Sequence, residues 1–129
     1  MCEFIFLMFF CTIMGKGKNK SEKFAEFDSF ENTYDYHSET KGKWASIFGN
    51  TNPIVLELAC GKGDYAIGLA KMNPDINYIG VDIKGNRLWK GAKICTEEGI
   101  QNVRFLRIEI DKLFEYFAKD EAVSYTHLR

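Results

Sequence analysis

The sequence predicts an α/β fold built on a parallel sheet. Three observations carry that expectation. Apolar runs of strand length alternate with stretches of helical periodicity, the connections between them are short, and the first run leads through two glycines straight into a helix. Short links between same-direction strands require right-handed crossovers, which gives a Rossmann-like architecture.

The elements follow in order. "IVLELA" (54–59) is a short run of branched apolar residues, read as a buried strand entered through the turn formers "GNTNP" (49–53). From Asp64 to Met72 a helix sets Ala66, Leu69 and Ala70 on one face, and Asn73–Pro74 stops it. "NYIGVDI" (77–83) is the second strand. Leu88, Ala92 and Cys95 recur at helical spacing until Gly99. "VRFLRIEI" (103–110) is the third strand, and Leu113, Phe114 and Phe117 open a third amphipathic helix. Upstream, Phe24, Phe27 and Phe30 recur every three residues, which suggests a short helix covering part of the core.

Composition sets the bounds. The chain has 129 residues, 46% of them apolar, and a net charge of −1, so it is the size of one domain and is not polybasic. Lys16, Lys18, Lys20 and Lys23 crowd one stretch against Glu22; this reads either as a solvated tail or as a mobile basic arm for phosphates. Cys2, Cys11, Cys60 and Cys95 have neither zinc spacing nor a disulfide pattern, so free thiols and no metal are expected. His37 and His127 receive no ligand role. The apolar start "MCEFIFLMFFCTIM" is too short for a bilayer-spanning helix, which needs about 20 residues, and it lacks the marks of a secretory signal. Translation from Met14 and a cytoplasmic protein without membrane association are the expectations.

The chemistry concentrates in "LELACGKGDYA". A helix that starts just past a strand presents unpaired N–H groups and a partial positive charge, and Gly61 and Gly63 clear side chains from the approach. Asp82 lies nineteen residues beyond Gly63 at the end of the second strand, the position of an acid that takes ribose hydroxyls. The loop satisfies a dinucleotide pattern, with Ala66 as the third small residue. Glu57 argues otherwise: a carboxylate inside the first strand repels a pyrophosphate and attracts a sulfonium and an ammonium. S-adenosylmethionine is therefore favoured. A Glu57 that is buried and paired to a lysine, or solvated at an edge, is the structural alternative. Glu109, at the end of the third strand, reads as an acceptor for the adenine amine or as a surface acid starting the next helix.

The stretch "NPIVLELACGKGDYAIGLAKMNPDINYIGVDIKGNRLWKGAKICTEEGIQNVRFLR" resembles the tRNA (guanine-N7-)-methyltransferase family, and "GKGKNKSEKFAEF" fits the lysine-rich N-terminus of one branch of it. The resemblance runs from about Met14 to about Ala122. It implies a class I methyltransferase fold, S-adenosylmethionine as methyl donor, tRNA as partner, and cofactor contacts from Glu57, Gly61, Gly63, Asp82 and Glu109. Ala59 stands where the family has glycine, which an ordinary β backbone would tolerate; Glu109 stands where Asp or Asn is usual. The family's F-P-D-P motif on a fourth strand, with the aspartate at the reaction centre, and the basic region after it do not occur here.

The organisation expected on that basis is an apolar extension (1–13), a basic arm and covering helix (14–52), a partial cofactor-binding domain with three strands (53–122) and a foreign tail (123–129). With strand order 3-2-1-4-5 in the whole protein, "IVLEL" would lie unpaired at a sheet edge, and the chain would be poorly soluble and inactive on tRNA. Another Rossmann-like methyltransferase, or a non-catalytic nucleotide-binding module, is the competing reading.

Overall fold

The computed structural model describes residues 17–127, so the apolar start, Met14, Lys16, Cys2 and Cys11 lie outside the described residues. Ten elements follow one another: α1 (Lys20–Ser29), β1 (Thr33–Asp35), α2 (Trp44–Phe48), β2 (Ile54–Leu58), α3 (Asp64–Met72), β3 (Asn77–Asp82), α4 (Gly85–Glu98), β4 (Val103–Arg107), a 3₁₀ turn (Ile110–Glu115) and β5 (Ser124–His127). The five strands form one parallel sheet in the order β1-β4-β3-β2-β5. The expected α/β class and the order of the three long strands hold.

Strand alternation divides the sheet's side chains between two cores. Tyr78, Val103 and Phe105 face α3, α4 and α1, joining Phe27, Ala66, Ile67, Leu88 and Ala92. Ile54, Leu56, Leu58, Ile79, Val81, Leu106 and Ile108 face the other way, onto Trp44, Tyr116 and Phe117. Both faces are thus covered, as the near-continuous apolar character of a parallel sheet demands.

The phenylalanine-spaced helix exists as α1. Asn19 and Glu22 close a reciprocal capping box at its start, and Phe27 is buried beneath it. The lysine-rich stretch is a docked element from residue 20 onward. Lys23 and Lys93 each place an ammonium 5.1 Å from the ring of Trp89 on α4. The Trp89 indole N–H donates to Glu26 (3.0 Å), which also pairs with Lys18.

Several expectations are corrected. β2 is not a sheet edge, because β5 pairs with it in parallel from Val55↔Ser124 to Leu58↔His127. The opposite margin belongs to β1, which the sequence reading did not anticipate; three residues are too few for a periodicity to register. The third strand stops at Arg107 rather than residue 110. The third amphipathic helix is a 3₁₀ turn that leaves Phe114 83% exposed. A continuing α-helix would need the Tyr116 carbonyl as an acceptor for its own backbone. That carbonyl instead accepts from the Trp44 indole N–H (2.9 Å) and the Thr40 hydroxyl (3.1 Å). Glu121 then takes the backbone N–H groups of Gly42, Trp44 and Ala118 at 2.8–3.0 Å.

Trp44 is the anchor of this second layer: it is fully buried, stacked on Phe117 at 5.1 Å and edge-on to Tyr34 at 5.5 Å. Trp44→Ala should therefore cost about 3–5 kcal/mol, read as a lowered urea midpoint with an unchanged slope. A loss of less than about 1 kcal/mol would contradict the anchoring role.

Candidate functional site

The site is built where β2 gives way to α3. The chain leaves β2 after Leu58 and turns through Ala59–Gly63. Three hydrogen bonds shape the turn: Cys60 N–H to the Val81 carbonyl (3.2 Å), Gly63 N–H to the Cys60 carbonyl (2.9 Å), and Gly61 N–H to the Asp82 carboxylate (2.8 Å). The other Asp82 oxygen accepts from Lys84 N–H at 3.1 Å. Asp82, buried at the end of β3, therefore grips both the glycine loop and the entry to α4. One carboxylate oxygen holds two lone pairs, so these bonds leave acceptor capacity for a ligand hydroxyl.

Glu57 is buried inside β2, and its carboxylate accepts from the Ala66 N–H at 2.9 Å in the first turn of α3. Its partner is thus a helix N-terminus, and no ion pair among the described residues includes it. Burial raises its pKa, while the Ala66 hydrogen bond works in the opposite direction. A carboxylate so held is an electrostatic well for a cation. Cys60 in the same loop is inert: burial first, and the Glu57 and Asp82 charges second, push its thiol well above the usual range.

Two glycines give the loop its shape in different ways. Gly63 has φ +75°, and a Cβ there would lie 2.7 Å from Cε1 of Phe105. Gly91, in the interior of α4, would bring a Cβ to 2.3 Å from the Lys62 carbonyl oxygen. The sequence reading missed Gly91 and Phe105 as the backing of the loop. A glycine inside the otherwise well-formed helical run "LWKGAKI" was the available signal, since helix interiors disfavour it.

Of the three expected carboxylates, the structure joins Glu57 and Asp82 to the loop. Glu109 stands two residues beyond the end of β4, exposed, with its carbonyl accepting from Lys112 N–H (3.0 Å) as the 3₁₀ turn begins. Ala59 does not have the ordinary β backbone that would make it a neutral replacement for glycine: its φ is +56°, the left-handed region where a Cβ is strained.

A family model described as "Putative methyltransferase" matches residues 51–125. A tRNA (guanine-N(7)-)-methyltransferase of Christiangramia forsetii is 49% identical over 113 residues, covering 81% of this chain and 50% of its own length. A protein of the same name from Bacteroides thetaiotaomicron is 46% identical over 114 residues, covering 81% and 45%. The chain thus spans about half the length of the curated relatives it matches. Among solved structures, "Structure of an antibiotic related Methyltransferase" superposes with TM-score 0.60 at 25% identity, over 70% of this chain and 46% of that one.

Two outcomes are expected at the loop. Ala59→Gly should stabilise the chain by about 1 kcal/mol by releasing the left-handed strain; an unchanged or lowered urea midpoint would count against it. Because burial raises the folded-state pKa of Glu57, stability is lost as pH climbs from the unfolded carboxyl value of about 4.3 through the raised one. Glu57→Gln keeps the acceptor and does not titrate, so its stability relative to wild type should rise across that window. A difference that is flat with pH would show that Glu57 ionises as freely when folded.

Proposed function

We propose, from the premise that this chain belongs to the methyltransferase family matched over residues 51–125, that the intact protein transfers a methyl group from S-adenosylmethionine to N7 of a guanine in tRNA. The observation that carries the donor assignment is Glu57. A buried carboxylate at the foot of the glycine loop opposes the two negative charges of a pyrophosphate and attracts the sulfonium and ammonium of the methyl donor. Asp82 is assigned to the ribose hydroxyls, and the backbone around Gly61 and Gly63 to close contact with the donor. Glu109 is assigned to the adenine amine, within reach of a flexible side chain just past β4. The tRNA substrate is the reading favoured by the names of the relatives that are 46–49% identical to this chain over the aligned residues.

The residues present here hold and orient the donor. When bound, S-adenosylmethionine supplies an activated methyl group, and guanine N7 is nucleophilic without deprotonation. The protein's part is then alignment of the two and exclusion of competing geometries. On this reading the 129-residue chain binds the donor without itself methylating RNA, since none of its residues is assigned to the reaction centre.

Calorimetric titration with S-adenosylhomocysteine tests the assignment. Wild-type chain should bind it in preference to NAD. Asp82→Ala should weaken that binding by roughly ten- to a hundredfold, the equivalent of losing a charge-assisted hydrogen bond of about 1.5–3 kcal/mol, and change tRNA affinity less than twofold. Preference for NAD would overturn the donor assignment. Loss of tRNA affinity alone would place the ribose elsewhere.

A further inference from the structure

Between the glycine loop and the first turns of α4 lies a cavity of about 560 Å³ lined by Lys23, Cys60, Gly61, Lys62, Asn86, Arg87 and Lys90. We propose that this cavity is a subsite for a phosphodiester of the RNA backbone, so that the loop carrying the methyl donor on one flank meets the substrate's phosphates on the other. The assignment rests on RNA being the substrate, as argued above.

Three features support it. First, four cations from three separate stretches of chain converge on one concavity with no carboxylate in its lining, in a chain whose net charge is −1. Arg87 and Lys90 are three residues apart on α4 and share a face; neither enters an ion pair among the described residues, while Lys62 has a loose one with Asp64 at 3.5 Å. Second, the cluster is assembled by tertiary structure. Lys23 arrives through the docking of α1, where its ammonium lies over Trp89, and the Lys62 backbone is brought against α4, where its carbonyl leaves no room for a Cβ at Gly91. Third, the lining has no aromatic ring, and Cys60 is its one apolar residue. A base or a free nucleoside would find no aromatic platform there, whereas a phosphate needs donors and positive charge, and such contacts position a nucleic acid without reading its sequence.

The test is R87Q/K90Q in the full chain, with an unmodified tRNA transcript as probe and binding measured from low to moderate salt. The expected result is an affinity loss of about tenfold or more at low salt. The dependence of log affinity on log salt should also be shallower by roughly 0.7–0.9, the counterion release of one neutralised phosphate. Binding of S-adenosylhomocysteine should be unchanged, and inorganic pyrophosphate should compete with the transcript on wild type and not on the variant. Wild-type tRNA binding with an unaltered slope in the variant would overturn the subsite and leave the RNA reading standing. Wild type that binds no tRNA would overturn both. Weakened S-adenosylhomocysteine binding with intact tRNA binding would assign the cavity to the donor's own carboxylate.

Discussion

The hydrogen bond from Gly61 N–H to the Asp82 carboxylate is the constraint on which the rest of the site depends. It joins the loop after β2 to the end of β3 across neighbouring strands whose register sets Leu58 opposite Val81. Everything that gives the loop its shape is arranged around that tie. Phe105 and Gly91 press from behind, Glu57 binds the first turn of α3, and Lys84 N–H takes the remaining Asp82 oxygen. The same carboxylate thus fixes both the loop and the entry to α4, and each of its oxygens keeps a lone pair beyond those two bonds.

Around this centre the chain invests many polar contacts in fastening its own first third. α1 is bound to α4 through Lys23, whose ammonium lies over Trp89, and through Glu26, which accepts from the Trp89 indole N–H. α2 is bound to the 116–121 segment through Trp44 and Glu121. β1 adds to the sheet through β4. The basic character of the first helix is therefore delivered to a fixed place beside the glycine loop, where a flexible tail would deliver it only on average.

The three long strands and their helices were legible because each has a period and a boundary: branched runs for β2, β3 and β4, and Asn73–Pro74 and Gly99 to stop α3 and α4. Glu57 and Asp82 were readable as candidates beside the loop, Asp82 from its spacing past Gly63 and Glu57 from the charge it brings into an apolar strand. What escaped was set by distant partners. β1 acquires its strand character only from pairing with Phe105–Arg107. The helix expected at Leu113–Phe117 is diverted because Thr40 and Trp44 claim the Tyr116 carbonyl. The left-handed Ala59 escaped because a single sequence shows which residue is present and gives no sign of the backbone angle demanded of it. Gly91 was readable in principle, though its close partner, the Lys62 carbonyl, is known only once α4 is placed against the loop.

The pairing of Thr33–Asp35 with Phe105–Arg107 also has a consequence for biosynthesis. During translation the N-terminal segment emerges long before its partner strand exists. β1, and with it the Trp44 layer that waits for Tyr116 and Phe117, must stay open until some seventy further residues have left the ribosome. At an elongation rate of roughly 5–20 residues per second, an aromatic-rich stretch is left without its core for several seconds. That interval is when a nascent-chain chaperone has most to protect.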